Sequence, residues 1–196
     1  EESGASETES PYEWIVDPID GTRNYLSGIP HFSITLALAY KGEIIIGVTY
    51  DPIRKELFQT QKGGGAYLNK EPISISNHTE INQSVVGFDM GYSDKRASQG
   101  LEVAQKLWPG IQSIRVMGSA ALGIAYAACG RIDLYFHHHL AVWDIAAGML
   151  LVKEAGGIVV DRKGNETTQE NDSIIASNPI LIQSFLNLTD GLDWRK

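Results

Sequence analysis

The chain has 196 residues, 43% of them hydrophobic and 20% charged, enough apolar material for one large domain or two small ones packed together. A formal net charge of -8 argues against a nucleic-acid partner, which needs basic patches, and no apolar run approaches the roughly 20 residues that cross a bilayer. The single cysteine, Cys129, cannot form an internal disulfide, and the first residues lack the pattern of a signal peptide, so the expected compartment is the cytoplasm.

The chain opens on Glu1-Glu2-Ser3 and reads as a processed or truncated piece of a longer polypeptide. Trp14-Ile15-Val16 is a short apolar strand ending at Asp17, and Thr22 is placed to cap a short helix. Phe32–Tyr40 alternates apolar and small polar residues as a half-buried strand does, Lys41-Gly42 makes the turn, and Ile44–Tyr50 returns until Asp51-Pro52. Glu56–Gln61, the Gly63-Gly64-Gly65 corner and Ala66–Leu68 form another hairpin, giving a largely antiparallel first half.

After a polar stretch at Asn77–Asn82 the period changes, and the expected division is into halves 1–80 and 81–196. Val85–Phe88 is a strand, Asp94–Leu107 a helix stopped by Pro109, and Ile111–Val116 a strand. Ser119–Cys129 is a helix of small residues closed by Gly130, and Asp144–Ala155 is a helix with Asp144 as its N-cap. Ile158–Val160 and Ile174–Ala176 are strands, and Pro179 opens a last helix to Leu186. Strands alternating with helices make this second half layered α/β.

The segment Asp17-Pro18-Ile19-Asp20-Gly21-Thr22 delivers two carboxylates onto a turn. Pro18 keeps Asp17 out of the helical region and Gly21 permits a close backbone approach. Paired carboxylates suit hard cations, and the N–H groups of Gly21 and Thr22 suit an anion beside them; an Asx turn with an N-cap accounts for the same residues. Asp144 is read either as a ligand or as a plain helix cap. Gly118-Ser119-Ala120 is read either as an oxyanion or sugar site or as tight helix packing.

Asp17–Thr22, followed by Asn24-Tyr25 and Pro30-His31-Phe32, resembles the first signature of the inositol monophosphatase family. Trp143-Asp144-Ile145-Ala146-Ala147-Gly148, followed by Glu154-Ala155-Gly156-Gly157, resembles the second. Gly63–Tyr67 and Gly118–Ala121 are similar to segments between them, so the likeness spans nearly the whole chain. It implies a layered αβαβ(α) sandwich of the sugar-phosphatase type. It also implies Mg2+-dependent, lithium-sensitive hydrolysis of a polyol phosphate monoester by a metal-activated water, in a homodimer; the acidic balance and the lack of a long apolar run argue, independently, for no nucleic-acid and no membrane partner. Two or three Mg2+ ions are implied, held by Glu1, Asp17, the Ile19 carbonyl, Asp20 and Asp144. Gly21 and Thr22 would contact the phosphate, Thr22 and Asp17 would serve the attack, and Gly118, Ser119 and Ala120 would line the alcohol pocket together with Asp20 and Asp144.

The chain departs from the family pattern at His137, where a glutamate usually hydrogen-bonds a ring hydroxyl; the expectation is a different or broader polyol phosphate. His137-His138-His139 alternate in direction on an extended chain and do not converge on a zinc ion; His137 is expected to line the site with the other two at the surface. The family's N-terminal helical segment before Glu1 has no counterpart here. A fructose 1,6-bisphosphatase or another sugar or nucleotide phosphatase of the same superfamily is an alternative, with Arg23, Arg115 and Arg131 as candidates for a second phosphate; a non-catalytic scaffold is another.

Overall fold

The computed structural model describes residues 10–91, 93–168 and 173–196. Six strands form a first sheet in chain order, every neighbour antiparallel: β1 (Tyr12–Asp20), β2 (Ser33–Tyr40), β3 (Glu43–Asp51), β4 (Glu56–Gln61), β5 (Ala66–Leu68) and β6 (Glu71–Pro72). Lys41 and Gly42 join β2 to β3 with φ of 50° and 80°, the left-handed pair that suits the twist of a two-residue hairpin.

β1 runs on past Asp17 to Asp20, further than the apolar run suggested, because its register shifts there. Asp17 pairs with Thr35 and Asp20 with Ser33, so one extra residue is taken up on β1 at Pro18-Ile19, where proline has no N–H to give the ladder. Residues three apart on a regular strand face opposite ways. The bulge resets that parity, and Asp17 and Asp20 are both buried.

The second sheet has order β10-β11-β9-β7-β8. Its strands are β7 (Val85–Asp89), β8 (Ser113–Val116), β9 (Leu134–His137), β10 (Ile158–Val160) and β11 (Ile174–Ser177). β7 lies parallel to both β8 and β9, while β9/β11 and β11/β10 are antiparallel. The helices are α1 (Thr22–Leu26), α2 (Asp94–Leu107), α3 (Ala120–Ala128), α4 (Val142–Glu154) and α5 (Pro179–Leu188).

α3 and α4 fill the space between the sheets. One core cluster joins Phe58 and Ala66 of the first sheet to Leu122, Ile124 and Leu151 of these helices and to Tyr135 and Ile174 of the second sheet. A Cβ on Gly47 of β3 would lie 2.7 Å from the Ala147 carbonyl of α4, so this helix rests directly on the strand's backbone. The second cluster, on the far side of the second sheet, packs Val103 and Leu107 of α2 and Phe185 of α5 with Phe88, Phe136 and Trp194. The layers therefore run sheet, helices, sheet, helices, in keeping with the layered sandwich. Tyr12, Trp14, Val16 and Ile34 are exposed on the outer face of the first sheet, which no described helix covers.

Two local expectations are corrected. Gly21, at φ 88°, caps α1, and Thr22 is its first residue. Ala141 is the N-cap of α4 and Asp144 lies three residues in; the Asp144 carboxylate accepts the Ala141 N–H at 2.8 Å, which secures the turn from inside the helix.

Candidate active site

A cleft of about 440 Å³ opens where the bulge of β1, the N-termini of α1, α3 and α4, and the ends of β7 and β9 meet. Asp17, Asp20 and Asp144 line it, and each offers a carboxylate oxygen within 4.8 Å of the other two. The Asp17 carboxylate accepts the Ile19 N–H at 2.9 Å, and the Thr22 hydroxyl donates to the Ile19 carbonyl at 3.0 Å.

Asp20 is held from four directions. The Ser33 hydroxyl donates to it at 3.0 Å, the Ser119 hydroxyl donates as well, and the N–H groups of Ala120 and Ala121 donate at 3.1 and 3.3 Å. Burial nevertheless pushes the Asp20 carboxyl up to about 6; Asp17's charge adds to the rise, and the Ser119 and Ser33 donors oppose it. Two buried acids side by side, the charge of one raising the other, with a third in reach, form a donor set that a divalent cation would relieve. The chemistry fits a hard ion, since every side-chain donor is a carboxylate oxygen.

Gly21 and Gly118 touch across this seam. A Cβ on Gly21 would stand 2.9 Å from the Gly118 carbonyl, and one on Gly118 would stand 2.6 Å from Asn24 Nδ2. Asn24 uses that amide to bridge the carbonyls of His31 and Met117, at 2.7 and 3.2 Å. α1 is thereby tied to the loop before α3. Being only five residues long, α1 offers an anion individual N–H groups more than a helix dipole.

His137 ends β9 with 3% of its surface exposed and lines the cleft. Its Nδ1 accepts the His139 N–H at 3.1 Å, which assigns the ring proton to Nε2. Burial, reinforced by His138 and His139, pushes its pKa down to about 3, so the ring is neutral near pH 7. Among the described residues the three histidines form no metal-ligand cluster. His138 is half-buried and turns its ring toward Trp194, at 6.1 Å between centroids, while His139 is exposed, at the surface where it was expected, on the rim of the cleft.

Of the three arginines considered for a second phosphate, only Arg23 lines the cleft. Arg131 grips Glu56 through two hydrogen bonds and lies over the Tyr126 ring, while Arg115 donates to the neighbouring Ile114 carbonyl. Glu1 lies outside the described residues.

Asp89, at the end of β7, also lines the cleft and was missed in the sequence. A signal was present: Val85-Val86-Gly87-Phe88-Asp89, like Trp14-Ile15-Val16-Asp17, is an apolar run that stops on an aspartate. Asp89 accepts hydrogen bonds from the Gly118 N–H and, at 2.8 Å, from the buried Tyr135 hydroxyl.

A profile described as the inositol monophosphatase family matches residues 1–190. An inositol-1-monophosphatase from Mesorhizobium japonicum is 40% identical over 95% of this chain and 71% of its own length. A protein named Nus factor SuhB from Xylella fastidiosa is 44% identical over 81% of this chain, which spans 58% of that relative's length. Among solved structures, the extragenic suppressor protein suhB of Bartonella henselae superposes with a TM-score of 0.89 at 36% identity, covering 94% of this chain and 72% of that one.

Proposed function

The chain belongs to the inositol monophosphatase family, whose members are phosphoric monoester hydrolases, and from this premise we propose that it hydrolyses the phosphate monoester of a small polyol with Mg2+. The observation that carries the reading is the trio Asp17, Asp20 and Asp144, brought within 4.8 Å from separate elements and opening on one cleft. These three, with Glu1 and the Ile19 carbonyl, are the proposed holders of two or three Mg2+ ions, the first half (1–80) supplying all but Asp144. When bound, such ions neutralise phosphate charge and make water a usable nucleophile near neutral pH.

The protein's own groups divide the remaining work. The N–H groups of Gly21 and Thr22 receive phosphate oxygens. The Thr22 hydroxyl, with its proton committed to Ile19, keeps lone pairs with which to accept a hydrogen bond from water and orient it. Gly118, Ser119 and Ala120 border the alcohol; the Ser119 hydroxyl is spent on Asp20, so its part is to hold that acid. His137 presents an Nε2–H donor where the family's glutamate accepts, which favours alcohols with an acceptor oxygen there and weakens selection for inositol.

The test is phosphate release from a panel of monoesters, with Mg2+ and with chelator. Release that needs Mg2+ and shows comparable kcat/KM for inositol 1-phosphate and other polyol phosphates is expected; release indifferent to chelator refutes the metal reading, and strong preference for inositol refutes the role of His137. A sugar bisphosphatase would need more cleft-lining cations than Arg23. A second reading, a non-catalytic binding role, is favoured by relatives at 38–44% identity that carry the name Nus factor; silence across the panel would support it. Exposed Tyr25, Leu26 and Ile29 around α1 favour a homodimer, testable by light scattering of Leu26→Glu. The acidic balance and the single cysteine favour a cytoplasmic protein without nucleic-acid partners.

A further inference from the structure

Asp20 owes its position to the first turn of α3, and that turn is itself held from below. Gly118, just before it, gives its N–H to Asp89 at the end of β7. The other Asp89 oxygen takes the hydroxyl of Tyr135 on β9. Tyr135 is fully buried, and its ring is wedged between glycines of two elements. A Cβ on Gly123 of α3 would sit 2.3 Å from the ring, and one on Gly87 of β7 would sit 3.2 Å from it. The tyrosine thus sets the height of α3 above the second sheet, and its hydroxyl aims Asp89 at the loop preceding that helix.

We propose that Tyr135 and Asp89 are positioning residues for Asp20: they fix Gly118 and the start of α3, so that Ser119, Ala120 and Ala121 hold the Asp20 carboxylate facing Asp17 and Asp144. The order of contact is Tyr135 hydroxyl, Asp89 carboxylate, Gly118 N–H, then the Ser119 hydroxyl and the Ala120 and Ala121 N–H groups on Asp20. Both Asp89 oxygens are used by protein donors. Its contribution is therefore geometric, and it needs no contact with cation or substrate. Groups that orient metal ligands from behind commonly control affinity as much as ligand chemistry does. This inference rests on the proposed metal site.

The experiment is calorimetric titration of the chelator-treated full chain with Mn2+ alone, with thermal unfolding measured in parallel. Asp89→Ala is expected to weaken Mn2+ binding at least about tenfold. Tyr135→Phe, which keeps the ring in place, is expected to weaken it about threefold. Asp89→Asn, which retains an oxygen for Gly118 and an amide for the tyrosine, is expected to bind close to wild type. Val103→Ala, in the far core cluster, should lower the melting temperature and leave Mn2+ affinity alone. Wild-type affinity in both Tyr135→Phe and Asp89→Ala overturns the inference, as does an Asn variant as weak as the Ala variant, which would make charge rather than position the cause. If Asp89→Ala does not fold, Tyr135→Phe against Asp89→Asn decides. A wild-type chain that binds no Mn2+ removes the metal reading itself, a result distinct from either.

Discussion

Asp20 and Asp89 are two buried aspartates on the same cleft, each at the end of a strand, each hydrogen-bonded by the segment 118–121, and each pushed up to about 6 mainly by burial. What separates them is company. Asp20 has two further carboxylates within 4.8 Å, whereas Asp89 faces a tyrosine hydroxyl and a backbone N–H and, among the described residues, belongs to no such cluster. A raised carboxyl therefore does not identify a ligand, and Asp89 even feels the charge of Asp20; carboxylates close enough to share one ion do, because they create the demand for a cation.

Asp17→Asn strikes one side of this contrast hardest. Cation stabilisation of phosphoryl transfer is worth several kcal/mol, so kcat/KM for phosphate release should fall about a thousandfold. The melting temperature of the chelated protein should not fall, since a like charge beside Asp20 is gone. Unchanged turnover with Mg2+ would dissolve the distinction.

pH sharpens it. A carboxyl held near 6 in the fold and near 3.8 in the unfolded chain keeps its proton longer when folded. Its contribution is full below about pH 4 and lost as pH rises through 6. Over that window wild type should lose about 2–3 kcal/mol relative to Asp89→Asn in chelator, read from urea unfolding at pH 4 and 6.5. His137, held neutral, contributes in the opposite sense in both proteins and cancels. Excess Mg2+ should abolish the matching loss from Asp20 while leaving that of Asp89.

A smaller effect is expected from Gly123→Ala, whose methyl would meet the Tyr135 ring at 2.3 Å; crowding of this kind costs about 1–3 kcal/mol, visible as a lower urea midpoint. The mildest is His137→Glu. Exchanging a neutral donor for a charged acceptor should raise kcat/KM for inositol 1-phosphate over glycerol 2-phosphate about tenfold, the worth of one charged hydrogen bond. An unchanged ratio would place His137 outside substrate selection.

The antiparallel first sheet was readable because its strands alternate on a half-exposed face and its turns carry glycine. β9 was not. Leu134, Tyr135, Phe136 and His137 are all buried, since helices cover both faces of the second sheet, and four uninterrupted buried residues have no period. Asp17, Asp20 and Asp144 stood out through their motifs, but the parity change that turns Asp17 and Asp20 inward depends on pairing with β2, which no local pattern encodes. Asp144's depth in α4 was misjudged because an aspartate in the first turn also accepts a backbone N–H at the helix start, here that of the cap residue Ala141 behind it, where a cap would accept one from ahead. Asp89 escaped because its partners, Gly118 and Tyr135, come from two other elements.

Gly21 and Gly118 meet backbone to backbone, with the Asn24 amide filling what space is left. A joint that thin has no slack to absorb a hinge: heat should dissolve both sheets in one calorimetric peak, and a fragment ending before α3 should inherit none of the cation affinity of the whole.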